Sequence, residues 1–239
     1  MKQTFSSLIL TILLTANSLI GFSQNPKELI TISGKVTDFA GNPIDSCIID
    51  LKHADFSSAY NTYSDINGNY KLENVEKGNY LSLYAIRPNE YPTAKQVPEN
   101  DMRLEFWAWN IIANNDLEIN PRYHKLELYG TVATKMQNGY MIYFRPMSLT
   151  KFLANGTVSV APENLKVKIF ADEEPLAINS IKAIKEYDEM TPITGYIIQV
   201  GKPKMATEKP YIIFRVEAEN IENDEKGENL YFFEVKNYK

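Results

Sequence analysis

The chain has 239 residues, 44% of them hydrophobic and 23% charged, with 15 Tyr against 11 Gly. That composition is globular with an aromatic lean toward strands, and the length allows two ordinary β domains, each with its own core. A formal net charge of −5 without a basic cluster argues against nucleic acid or an anionic membrane as partner.

Residues 1–23 begin with Lys2, run through an apolar stretch from Leu8 to Ile20 and end on Gly21-Phe22-Ser23. A basic start, an apolar middle and small residues at −3 and −1 of a cut after Ser23 make a signal peptide. A membrane anchor needs ~20 apolar residues, and Thr11, Thr15, Asn17 and Ser18 interrupt this run. The mature protein is therefore expected to be exported, in the periplasm or on the outer cell surface, and not integral to the membrane. Cys47 is the one cysteine and lies far from the cut, so there is no lipoprotein cysteine. In Ser46-Cys47-Ile48-Ile49 it reads as a buried strand residue. Export without disulfides fits a bacterial envelope.

A first strand is predicted over Ile30 to Val36, followed by a turn from Asp38 to Pro43 and a second strand from Ile44 to about His53. A more polar strand covers Ser58 to Tyr63. Then comes Ser64-Asp65-Ile66-Asn67-Gly68-Asn69-Tyr70. Here Asp65 can accept backbone N–H groups while Asn67-Gly68 tolerate positive φ, so the chain reverses within a few residues. Tyr70 to Glu73 and Tyr80 to Ile86 are strands either side of a turn at Glu76-Lys77-Gly78. Closing strands are expected at Ala94 to Val97 and Arg103 to Trp109. Turn signals spaced about 8–12 residues apart mark a sandwich or small barrel.

Ile32-Ser33-Gly34-Lys35-Val36-Thr37-Asp38, Gly41-Asn42-Pro43-Ile44, Ser64-Asp65-x-x-Gly68-x-Tyr70 and Gly78-Asn79-Tyr80 together resemble the carboxypeptidase regulatory-like family, over residues 30–87. Two positions depart from its pattern: Ser64 replaces a Thr, and Arg87-Pro88-Asn89-Glu90-Tyr91 replaces a Gly-Tyr. The resemblance implies a transthyretin-like (prealbumin-like) β-sandwich of an exported Gram-negative protein. It does not imply a peptidase, because in the enzymes that gave the family its name the module is accessory to a separate zinc-dependent domain, which the remaining chain cannot hold.

Phe106-Trp107-Ala108-Trp109-Asn110-Ile111-Ile112 is the most apolar short stretch, and the domain boundary is placed between Trp109 and Pro121. This gives a sandwich at 30–110 and a second domain at 121–239. Trp107 and Trp109 either pack between the domains or form a platform for a sugar ring. The second half reads as strands: Lys125 to Tyr129, a hairpin with Asn138-Gly139 between Val132–Met136 and Tyr140–Phe144, ended by Arg145-Pro146, and a loop containing Asn155-Gly156. Further strands are predicted at Leu165 to Phe170, Tyr196 to Val200, Tyr211 to Ala218 and Leu230 to Val235, with an acidic turn at Asp172 to Pro175. Ile178 to Tyr187 is ambiguous, since the apolar spacing of Ile181 and Ile184 also suits a helical turn. About seven strands match an immunoglobulin-like sandwich. The fold class is thus all-β, prealbumin-like then immunoglobulin-like.

Catalytic patterns are weak. His124-Lys125-Leu126-Glu127 offers two zinc-ligand types, but a zinc site needs a further protein ligand and only His53 remains. If residues 124–129 form a strand, His124 and Glu127 also face opposite sides. Asp65-x-Asn67-x-Asn69 lacks the glycine position of a calcium loop and is read as a turn. The acidic run from Glu217 to Glu228 reads as a solvated hairpin loop, with a calcium-collecting role as the alternative. There is no Gly-x-Ser-x-Gly elbow. No catalytic residue, metal or cofactor is expected. The leading reading is a non-catalytic binding or scaffolding protein of the cell envelope whose partner is another envelope protein or a glycan. The alternatives are a glycan-binding protein of an uptake system using Trp107 and Trp109, and a hydrolase with an interdomain site near His124.

Overall fold

The computed structural model describes residues 28–94, 96–187, 192–204 and 208–235. The predicted signal peptide, residues 1–23, lies outside the described residues. The strands are β1 Leu29–Lys35, β2 Ile48–Lys52, β3 Ser58–Tyr63, β4 Asn69–Glu76, β5 Gly78–Ile86, β6 Phe106–Ala113, β7 Leu117–Glu118, β8 Leu126–Met136 and β9 Gly139–Ser148. After a short helix, α1 Leu149–Asn155, come β10 Leu165–Ala171, β11 Glu174–Pro175, β12 Ile178–Tyr187, β13 Pro192–Val200, β14 Tyr211–Asn220 and β15 Glu225–Glu234. The protein is all-β, as expected.

These strands form a central eight-stranded sheet, ordered β11-β10-β14-β15-β6-β5-β2-β3, a three-stranded sheet β4-β1-β7 and a four-stranded sheet β12-β13-β9-β8. Register explains how they stack. Leu51, Leu83, Ala108, Leu230, Arg215 and Phe170 are successive cross-strand partners, so they share one face of the central sheet. Along that row the face turns from apolar to charged. The neighbouring row, Asp50, Tyr84, Trp107, Asn229, Val216 and Ile169, lies on the other face and turns from polar and aromatic to apolar. Each sandwich uses one apolar half-face. Ile30, Ile32, Tyr70, Leu72 and Val75 of the three-stranded sheet meet Leu51, Leu83, Ala108 and Phe232 in the first core. Ile142, Phe144, Tyr196 and Ile198 meet Ile169, Phe214 and Val216 in the second. Full burial of each such large side chain contributes ~1.5–3 kcal/mol, so two offset sandwiches share one middle sheet.

The joint is the parallel pairing of β6 with β15, through Trp107 with Asn229, Ala108 with Leu230 and Trp109 with Tyr231. Asn110, at φ 56, donates its Nδ2 to the Phe232 carbonyl at 2.6 Å and closes the seam. On the aromatic side β8 crosses over β15: Asn229 Nδ2 donates to the Leu128 carbonyl and, at 2.9 Å, to Thr131 Oγ1.

The Asp65 turn forms as its chemistry dictates. Asp65 Oδ1 accepts the N–H groups of Asn67 and Asn69, each at 2.8 Å, and Gly68 takes φ +79. A Cβ on Gly68 would stand 2.4 Å from the Val36 carbonyl oxygen, so glycine is needed for approach as well as for φ. Tyr70 is buried and donates to the Ile119 carbonyl at 2.7 Å. Cys47 is fully buried, its thiol pushed up to about 12 by burial.

Several expectations need correction. Ala94 lies in a turn, its N–H bonded to the Tyr91 carbonyl, rather than starting a strand. The β8–β9 hairpin turns on Gln137-Asn138, since Met136 pairs with Gly139. Gly139 is instead required because a Cβ there would lie 2.0 Å from the Val200 carbonyl oxygen. Arg145-Pro146 does not end β9; beyond Phe144 that strand has lost β13 as a neighbour, and proline is tolerated at an edge. The Asn155-Gly156 stretch ends helix α1, which Ser148 caps at the start and Gly156, at φ 75, terminates. Ile178 to Tyr187, left open between strand and helical turn by its apolar spacing, is strand, paired with β13 along its length, and Ile181 is left 47% exposed. The acidic run is not a solvated loop throughout: only Ile221 to Asp224 turn, while Glu225 and Glu228 are buried in β15.

Candidate binding groove

The charged half-face of the central sheet lies on the same side as the first core, beyond it, and faces away from the second core. Along β14, Ile212, Phe214, Val216 and Ala218 enter the second core, so strand alternation turns Ile213, Arg215, Glu217 and Glu219 the other way. Arg122 reaches this face from the segment between β7 and β8, where a bridge to Thr37 holds its backbone. Two hollows of about 680 and 590 Å³ meet at Arg122.

The charges are cross-linked. Arg122 donates through Nε to Glu228 Oε2 at 3.0 Å and through NH2 to Glu217 Oε1 at 2.6 Å, with a second bond from NH2 to Glu228. Arg215 bonds Glu217 and, at 2.7 Å, Glu173, and its NH1 lies 3.8 Å from Glu228. Each guanidinium also lies over a ring: Arg122 is 5.0 Å from the Phe39 centroid and Arg215 4.0 Å from that of Phe170. Phe39 is placed by the turn at Asp38, whose Oδ1 accepts the N–H of Ala40 at 2.8 Å and of Asn42 at 2.9 Å. Glu228 is only 4% exposed, and burial pushes its carboxyl up to about 7 despite both arginines.

Lys35, Lys166, Lys168, Lys209 and Lys226 also line the two hollows. With the arginines they make seven basic residues against six acidic ones there, whereas the whole chain is −5. Donors and acceptors alternate over a surface edged by aromatic rings. That pattern suits a ligand rich in hydroxyl groups, each of which both donates and accepts.

Trp107 and Trp109 lie on the opposite face. Their rings stack at 4.8 Å and 11°, and Tyr84 stacks on Trp107 at 4.9 Å. Trp107 is 9% exposed and Trp109 half-buried, so ring faces are turned largely onto one another. Trp107 Nε1 donates to Glu105 Oε1 at 2.9 Å. Burial raises the Glu105 carboxyl, and burial with the added Glu105 charge raises Glu127 well above the usual range, so this pair keeps a proton. His124 precedes β8, half-buried, and burial with the charges of Lys125 and Arg103 lowers its pKa. Among the described residues no three His, Cys, Asp or Glu side chains gather closely enough to hold a metal ion. No helix among them is long and apolar enough to cross a membrane.

No family model and no curated protein matches this chain. Its likeness to solved structures is distant. A candidate carbohydrate binding protein from Bacteroides uniformis shares 13% identity at a TM-score of 0.30, covering 86% of this chain and 99% of that one. A DUF3823 family protein from Bacteroides ovatus shares 14% at 0.29, covering 85% and 98%. BcpA, the major pilin subunit of Bacillus cereus, shares 11% at 0.30, covering 87% and 69%.

Arg122 and Arg215 are not singled out by the sequence, and Glu217 and Glu228 enter only as the ends of an acidic run that reads as a solvated hairpin loop or, alternatively, a calcium collector. The available signal was Phe214-Arg215-Val216-Glu217-Ala218-Glu219, whose strict alternation puts a charged row opposite an apolar one. That Arg122 would complete the row depends on the joining of the two sandwiches and is not written locally.

Proposed function

We propose that this is a non-catalytic, exported binding protein of the bacterial cell envelope, and that it holds a glycan in the groove around Arg122. The observation that carries this reading is the charged half-face of the central sheet, left without a covering sheet and hollowed on both sides of Arg122. Supporting it, the arginines and glutamates there are locked in pairs. Such pairing suits recognition of hydroxyl groups better than acid–base turnover, because Glu217 and Glu228 share one guanidinium nitrogen and leave no room for a substrate between them. The signal-peptide pattern at residues 1–23 and the resemblance of residues 30–87 to carboxypeptidase regulatory-like modules support an envelope setting. In this reading the units at 30–110 and 121–239 act as one body, since β6 and β15 join them in the central sheet.

Glycan-array screening followed by titration calorimetry tests the proposal. Phe39→Ala and Lys168→Glu, both at the groove's edge, should each weaken binding by about tenfold, the loss typical of an interface anchor. Trp109→Ala should leave affinity unchanged. The reverse pattern would move the site to the aromatic face and restore Trp107 and Trp109 as the contact residues; loss of neither kind would leave the groove without a role.

A further inference from the structure

We propose that a second, independent site lies between α1 and the Tyr91 to Leu104 segment, and that it binds a neutral single-ring molecule carrying one hydroxyl group. A partly open pocket of about 180 Å³ is lined there by Tyr91, Leu104, Leu149, Phe152 and Val158, with Glu127 in its wall. It borders the small apolar cluster of Met102, Leu104 and Leu149 and belongs to neither sandwich core. Apolar cavities of ~150 Å³ stay dry and take up benzene, so this one has room for a ring with a one-carbon substituent.

The polar group in the wall sets the ligand's chemistry. Glu127 is 2% exposed, and its Oε2 has no hydrogen-bond partner within the protein. An unpaired polar atom at that depth is costly and seeks a partner. Ser148, also in the wall, is already engaged: its hydroxyl donates to Glu225 Oε2 at 2.5 Å and accepts from the Lys151 N–H at 3.2 Å. Glu127 is kept neutral by burial and by the neighbouring Glu105 carboxyl. Its proton is engaged with Glu105, so the unpaired Oε2 accepts, which matches the donor of a ligand hydroxyl and disfavours an anion. Phe152, 46% exposed at the rim on α1, leaves a way in.

Ligand-observed NMR of the full chain with benzyl alcohol, toluene and benzoate tests the site. Benzyl alcohol should bind at least about fivefold tighter than toluene, the net gain of one hydrogen bond to a buried polar group, and benzoate should not bind. Val158→Phe, which fills the cavity, should abolish binding with the melting temperature held or raised. Glu127→Leu should equalise benzyl alcohol and toluene, which keeps the test decisive if the filling variant unfolds. Benzyl alcohol failing to bind, or binding equally to wild type and folded Val158→Phe protein, overturns the site. A preference for the alcohol that survives Glu127→Leu overturns the assignment of its hydroxyl to Glu127.

Discussion

Glu228→Gln probes the electrostatics of the groove most sharply. Glu228 is 4% exposed and its carboxyl is pushed by burial up to about 7, against an ordinary value of 4.5. The folded state therefore holds this proton over a pH range in which the unfolded chain has released it. Where the native state binds more protons, stability falls as pH rises. The interval from 4.5 to about 7, at ~1.4 kcal/mol per pH unit, amounts to roughly 3 kcal/mol. This stabilisation is complete below the unfolded value and lost as pH climbs through the folded one. Glutamine keeps the shape and cannot titrate. Urea unfolding of wild type and Glu228→Gln across mildly acidic to neutral pH should show their stability difference shifting toward the variant as pH rises, then levelling. Taking the difference cancels the Glu105–Glu127 pair, whose raised values act in the same direction. A difference that is flat, or that shifts toward wild type with rising pH, would refute the reasoning. It would mean that Arg122 and Arg215 outweigh burial.

Gly227→Ala should destabilise by about 1–3 kcal/mol in chemical denaturation, because the new Cβ would stand 2.2 Å from the Leu126 carbonyl oxygen where β8 crosses β15. Trp107→Ala should cost about 3–5 kcal/mol, since it removes a nearly buried ring stacked on both Tyr84 and Trp109. Ser148→Ala should cost about 1–2 kcal/mol by uncapping α1 and leaving Glu225 short of a donor, read as a lower melting temperature.

Local chemistry made the N-terminal strands legible. The Asx turns at Asp38 and Asp65, and the alternation around Tyr70 and Leu72, mark strand ends and core faces without outside help. The misjudged positions are those where a distant strand decides. Gly139 looks like a turn residue but serves the approach of β13, and the spacing of Ile181 and Ile184 leaves strand and helical turn open where pairing with β13 decides for strand. Helix α1 reads in the sequence as a loop around Asn155-Gly156, and its Ser148 cap is tied to Glu225, far along the chain. The acidic run hid its two buried members, since the Arg122 that pairs with buried Glu228 lies more than a hundred residues earlier in the sequence.

The groove's role is most directly tested by hydrogen–deuterium exchange of the protein with and without purified envelope polysaccharide. The account predicts added protection confined to the Asp38–Asn42 turn, β10 and the β14–β15 hairpin. Protection confined to β5 and β6 around Tyr84, Trp107 and Trp109, or no protection at all with a polysaccharide that binds, would contradict it.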